Sequence, residues 1–343
     1  MILLCVAGLM AATCAYAREG VHPLFESPSE LTVTLQAPWS ELLRRKNDRR
    51  RYPAVLGYTD GAGGEHRIEA TVETRGLTRL RICRFPPLMI RFARDAALGT
   101  DFAGQRSLKL VTHCRPGAVA DQYYVQEFLA YRIFNHVTEH SFRVRPLRIT
   151  YEDASGGDSD GPRFAFLIED LDDVAKRNGY KRSPRAQFVQ GDFDPLALTR
   201  FMLFQYLIGN TDWEVLSGPE KDECCHNVRI TVAADVPGPV VAVPYDFDAS
   251  GIVDASYAVP DERLPIRSVR QRLYRGFCRH NDALEPVRAE FLASREAIFA
   301  LVRSEPRLSA DRKRITTSYF EEFFATLDSD ERFAREISGR CRS

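Results

Sequence analysis

Asp212, Asn227 and Asp246 follow one another along the second half of the chain in an order that could serve a single reaction. Asp212 lies in Gly209-Asn210-Thr211-Asp212-Trp213, Asn227 in His226-Asn227-Val228-Arg229-Ile230, and Asp246 in Val243-Pro244-Tyr245-Asp246-Phe247-Asp248. Phosphoryl transfer from a nucleotide needs one carboxylate beside the acceptor hydroxyl, plus an amide and a second carboxylate to hold magnesium against the phosphates. Asp212 suits the first task, and Asn227 and Asp246 the second. Asp248 reads either as a further metal ligand or as a group that fixes Asp246. His226 reads as a supporting or surface residue. A metal-dependent hydrolase using Asp246, Asp248 and His226 is a more distant alternative.

These residues need elements to position them. Pro195 to Ile208 is apolar almost all round, which marks a helix buried inside the protein, and Gly209-Asn210 ends it immediately before Asp212. Short strands at Asn227 to Thr231 and Val240 to Val243 carry the other two. The first half alternates as strands do, most clearly over His66 to Thr74, where apolar or small residues exchange strictly with polar ones. Asp60 to Gly64 reads as the turn joining that strand to one at Pro53 to Thr59. Further strands are expected at Leu31 to Gln36, Pro87 to Phe92, Ser107 to Thr112, Phe142 to Tyr151 and Arg163 to Ile168. Residues 121–137 have helical spacing (Val125, Phe128, Leu129, Ile133, Val137), with Glu127 beside that stripe. From about Leu264 the pattern is helical to the end.

The ordered Asp, Asn and Asp resemble the CotH kinase family, and more distantly HipA-type and lipid kinases. Thr74-Arg75-Gly76-Leu77-Thr78-Arg79 and Phe85-Pro86-Pro87 resemble that family's Arg-x-Arg-Gly-x-x-Ser stretch and the proline-containing segment after it. Phe166 to Asp172 resembles its strand-to-hinge segment ending in Glu. The resemblance spans residues 70–250 and implies an α+β, two-lobed protein-kinase-like fold, with a β-rich N-lobe over 18–170 and a helical C-lobe over 171–343. It further implies ATP and magnesium as cofactors. Lys109 would contact the nucleotide phosphates with Glu127 as its ion-pair partner, Glu169 would lie at the nucleotide, Asp212 would be catalytic, and Asn227, Asp246 and Asp248 would hold metal. Arg75 either anchors a loop or touches phosphate. Asn227 stands 15 positions after Asp212, a longer gap than in ordinary protein kinases, with Lys221, Asp222 and Glu223 on an excursion.

The 343 residues are 44% hydrophobic and 27% charged, a globular composition, and their 47 basic and 47 acidic side chains balance. No net field draws the protein to nucleic acid. Residues 1–17 carry no charge and end in Ala15-Tyr16-Ala17, as a cleavable export signal does. No transmembrane segment is expected in the mature chain. Beyond the signal, Cys83, Cys114, Cys224, Cys225, Cys278 and Cys341 form an even set that suits disulfides in an oxidising compartment, periplasmic or extracellular. Neighbours Cys224 and Cys225 are expected to bridge to different partners. Two functions follow from this reading: an exported kinase that phosphorylates Ser or Thr of a protein, or a non-catalytic surface protein that keeps the kinase fold for binding.

Overall fold

The computed structural model describes residues 20–218 and 224–343, so the expected signal at 1–17 and the excursion at Lys221, Asp222 and Glu223 lie outside the described residues. After a short helix α1 (Pro23–Glu26), strand β1 (Leu31–Ala37) buries Leu31, Val33 and Leu35 on one face. Helix α2 (Trp39–Arg44) leads to the hairpin of β2 (Tyr52–Thr59) and β3 (Glu65–Thr74). Its turn closes as expected: Asp60 Oδ1 accepts from the N–H groups of Ala62 and Gly64 at 2.9 and 2.8 Å. A one-and-a-half-turn helix α3 (Thr78–Ile82) precedes β4 (Leu88–Phe92) and β5 (Ser107–Val111). The long helix α4 (Ala118–Val137) then leads to β6 (Val144–Asp153) and β7 (Asp160–Ile168).

These seven strands close in the order β1-β2-β3-β4-β5-β7-β6. A parallel pairing of β1 with β6, Val33 opposite Ile149, seals the barrel, while the other pairings are antiparallel. This corrects the two-lobed kinase-like fold expected from the sequence. A closed barrel has no edge strands, and the residues after it are not simply a helical lobe. They include a second sheet in the order β10-β9-β8, made of β8 (Tyr180–Arg182), β9 (Val228–Ala233) and β10 (Val241–Pro244). Helix α5 (Leu171–Arg177) packs against β8 and α6 (Pro195–Ile208) against β10, while α7 (Leu284–Ser304) packs on α4 and α6, α8 (Ala310–Asp328) on α6 and α7, and α9 (Asp330–Glu336) on α8. The helical pattern expected from Leu264 begins only at the 3-10 turn Cys278–Ala283.

Strand β7 joins the two halves through its alternation. Ala165 and Leu167 point into the barrel core with Val33, Leu56, Ile90 and Leu110. Phe166 and Ile168 point the other way, into a second core with Phe128 and Tyr131 of α4 and Phe201 and Phe204 of α6. Each fully buried aromatic ring there stabilises the protein by about 2–3 kcal/mol. Among the described residues no helix is long and apolar enough to cross a membrane.

All six cysteines among the described residues pair at disulfide distance. Cys83 joins Cys114 and Cys278 joins Cys341, with Cα–Cα separations of 4.5 and 4.9 Å. Cys224 pairs with Cys225, correcting the expectation of separate partners; the other four satisfy one another and leave none for either. Denatured, unreduced protein should therefore expose no titratable thiol from these six. The Cys278–Cys341 bridge spans 63 residues, and replacing both by serine should lower stability by about 3–4 kcal/mol in urea titration. Equal stability with and without reductant would show that the bridge does not form.

Candidate functional site

Helix α6 ends by delivering Asp212. Its C-terminus turns on Gly209, at φ +66°, where a Cβ would meet the Tyr319 hydroxyl at 2.0 Å, so no side chain fits. Asn210 Oδ1 then accepts from the Asp212 N–H at 3.0 Å, while Trp213 Nε1 donates to the Asn210 carbonyl at 3.1 Å. The long excursion after Asp212 does return. Glu214 and His226 exchange backbone hydrogen bonds at 3.0 and 3.1 Å, which brings His226 and Asn227 alongside Asp212. His226 Nε2 lies 2.6 Å from Asp212 Oδ1, and Asn227 Nδ2 donates to Asp212 Oδ2 at 2.9 Å. The hydrogen bond to Asp212 raises the His226 pKa, partly opposed by burial. Asp212 is exposed on a cleft of about 760 Å³ whose walls include Trp213, Leu216, Val259, Leu264 and Arg275.

The β9–β10 hairpin supplies the other carboxylates. Its register sets Val228 opposite Pro244, and the Tyr245 N–H donates to the Asn227 carbonyl at 3.0 Å, so Asp246 emerges beside Asn227. Both residues have positive φ, 53° and 65°, a conformation that Asn and Asp tolerate better than most side chains. The Tyr131 hydroxyl accepts from the Asp246 N–H at 3.0 Å. Tyr257 donates to Asp248 Oδ2 at 3.0 Å. Burial raises the Asp248 pKa to about 6, with Arg79 opposing and the charge of Asp246 adding to the rise.

The expected ion pair of Lys109 with Glu127 is absent. Glu127 instead holds Arg79 of α3, whose Nη1 donates to Glu127 Oε2 at 2.8 Å and whose Nη2 donates to Oε1 at 3.2 Å. The same guanidinium reaches Asp246 Oδ1 at 2.5 Å through Nη2, and its Nε lies 3.2 Å from Asp248 Oδ2. Arg79 is buried, 6% exposed, and gathers three carboxylates around one cation. Glu169, expected at the nucleotide, is engaged elsewhere. Its side chain is fully buried, accepting from Arg177 Nε at 3.1 Å and from the Arg143 N–H at 2.8 Å, so it ties α5 to the start of β6.

Lys109 lies close enough to Asp246 for its charge to act there. On β5 it alternates with Leu108 and Leu110, which fill the barrel, and so faces the second half of the chain. Its ammonium lies 4.6 Å from the centroid of the Tyr245 ring and 5.4 Å from that of Phe142. The Arg229 guanidinium lies 5.1 Å from the Tyr245 centroid. Burial, then the charges of Arg75 and Arg229, press the Lys109 pKa down to about 7. Arg75 and Lys109 both act on Asp246, whose pKa is lowered because these cations and Arg79 outweigh its burial. Among the described residues, the side chains of Arg75, Lys109 and Arg229 form no ion pair with a carboxylate. Arg79 and Arg229 are thus site residues that sequence reasoning did not assign, while His226, read as a supporting or surface residue, is bonded to Asp212. Arg79 carried a signal nonetheless, standing three residues after Gly76 in the motif that drew attention to Arg75.

As arranged, the carboxylates do not fit magnesium. Asp246 and Asp248 are both bound to Arg79, and Asn227 turns its amide N–H groups to Asp212. Among the described residues no group of three or more His, Cys, Asp or Glu side chains could hold a metal ion. The arrangement can do two things: attract a polyanion to Arg75, Lys109 and Arg229, and present the Asp212 carboxylate to a cleft. No protein-family model matches this chain, and no curated protein is significantly similar to it.

Proposed function

We propose that this protein is an exported phosphotransferase that binds the phosphates of ATP on Arg75, Lys109 and Arg229 and presents an acceptor hydroxyl to Asp212. The observation that carries the reading is the gathering of three cations around Tyr245 and Asp246 that form no ion pair with a carboxylate among the described residues. Phosphoryl transfer depends mainly on positioning and on neutralising the charge of the phosphates, which fixed cations supply. A Ser or Thr hydroxyl of a protein substrate would enter by the 760 Å³ cleft. Asp212 would take its proton as the hydroxyl oxygen bonds to the γ-phosphorus. The bond from that phosphorus to the β-phosphate oxygen would break, and ADP would leave with its new charge facing the cations. His226 and Asn227 orient the two oxygens of Asp212 for this task. The CotH-like motifs and the order of Asp212, Asn227 and Asp246 are consistent with it, as are the three cysteine pairs with export.

Retention of the site for binding without turnover is a second reading, favoured by the hold of Arg79 on Glu127, Asp246 and Asp248. Radiolabelled ATP incubated with purified mature protein separates the two. Transfer to protein should be seen, and Asp212→Asn should reduce it by about a hundredfold or more while ATP affinity stays unchanged. ATP binding without transfer in the unaltered protein would select the second reading, and no ATP binding would end both.

A further inference from the structure

The cation between Glu127, Asp246 and Asp248 is part of the chain itself. We propose that the Arg79 guanidinium occupies the place of a divalent metal in this site, so that the nucleotide phosphates are bound without magnesium. The second clause rests on the phosphate reading above; the first stands on the contacts of Arg79.

Those contacts use the guanidinium on three sides. Three of its N–H directions go to carboxylate oxygens, Nη1 and Nη2 to Glu127 and Nη2 again to Asp246, and Nε lies 3.2 Å from Asp248 Oδ2 in an ion pair. Arginine does not lose its charge in proteins and has five donors in a fixed fork, so it can join three carboxylates where a lysine would offer only a point charge. Magnesium, by contrast, sheds its water reluctantly and needs near-octahedral oxygen ligands. To enter here it would have to displace a buried, multiply bonded cation.

The segment carrying Arg79 is also anchored. Helix α3 ends at Cys83, which is bridged to Cys114 beyond β5, and Lys46 Nζ donates to the Cys83 carbonyl at 2.5 Å. The Cys83 N–H is bonded to the Arg79 carbonyl, and the Arg84 N–H donates to the Cys114 carbonyl at 2.9 Å. Arg79 is therefore held from its own C-terminal side by a covalent link to the barrel. Beyond Arg79, the Tyr257 hydroxyl donates to Asp248, and the Asp246 N–H donates to the Tyr131 hydroxyl. The charges of Arg75 and Lys109 also act on Asp246, and those of Arg75 and Arg229 act on Lys109, so this group provides the positive charge that a metal would otherwise bring to the phosphates.

Two measurements test this on the mature chain. Calorimetric titration with ATP in EDTA and in excess magnesium should give affinities within about threefold of each other. Paramagnetic resonance should find no Mn²⁺ held by the protein, with or without ATP. In Arg79→Ala the carboxylates lose their cation, so Mn²⁺ should bind, and the further change Asp246→Asn should abolish that binding. Mn²⁺ held by the unaltered protein would overturn the proposal, as would a loss of ATP affinity of about tenfold or more in EDTA. A folded Arg79→Ala that takes no Mn²⁺ would also overturn it. If that variant does not fold, the two measurements on the unaltered protein still decide. Failure of ATP to bind under either condition would remove the phosphate reading and the second clause with it, while the Mn²⁺ results would still judge the place assigned to Arg79.

Discussion

Replacing Arg79 with methionine is expected to lower stability by about 3–5 kcal/mol near neutral pH, with much of the loss recovered in mild acid. Methionine keeps most of the packing of the side chain but leaves Glu127, Asp246 and Asp248 facing one another without a cation. Two of these acids already bind protons more tightly than usual. Burial raises Glu127 to about 7, against the pull of Arg79, and raises Asp248 to about 6. A carboxyl whose pKa is higher in the folded state favours folding as pH falls through that value, because the native state then binds more protons than the unfolded chain. In the variant these pKa values rise further, so the deficit against the unaltered protein should be largest above pH 7 and shrink towards pH 5. Urea titrations of both proteins across this range measure it. A loss independent of pH would mean that Arg79 contributes through packing alone.

Lys109→Met should have opposite effects on stability and binding. Burial and the neighbouring Arg75 and Arg229 hold the Lys109 pKa at about 7, against 10.5 normally. The unfolded chain therefore binds a proton more readily than the folded one between these values, and stability contributed at this position rises with pH through that window. Methionine removes the buried charge. The variant should be more stable by about 2–4 kcal/mol below pH 7, after allowance for the solvent reaching the lysine stem, and the gain should vanish as pH approaches 10.5. ATP affinity should fall by about ten- to a hundredfold, the equivalent of one charge-assisted hydrogen bond of roughly 1.5–3 kcal/mol. A gain in stability at the expense of binding is the signature of a residue kept for function. Unchanged ATP affinity in a variant that melts higher would remove Lys109 from the site.

Much of this molecule was legible from local pattern. Strict alternation over His66 to Thr74 located β3, and the largely apolar run from Pro195 to Ile208 located α6 to the residue. Gly209 marked the end of that helix, and the hairpin at Asp60 to Gly64 followed from its turn residues. The neighbourhood of Asp212, Asn227 and Asp246 could also be anticipated, because each follows an element whose end is written in the adjacent residues. Short pieces such as α3 and β8 were not legible, since five or three residues carry too little periodicity to register.

What the sequence by itself determined, then, was where strands and helices begin and end, which faces they bury, and which acidic residues sit at their ends. These are properties of neighbouring residues, set by periodicity and by the backbone preferences of Gly, Asn and Asp. Only the tertiary structure decided that β1 and β6, more than a hundred positions apart, pair in parallel and close the sheet into a barrel. It alone decided that Glu127 meets Arg79 instead of Lys109, and that Cys224 pairs with its own neighbour. The physical reason is common to all three. Pairing between distant groups depends on which ones the packed cores bring within a few ångströms, and charge and thiol chemistry offer several partners of nearly equal merit. An arginine from a five-residue helix could reach the acidic cluster only because β7 packs the barrel against α4 and α6, setting α3 over Glu127 and Asp246.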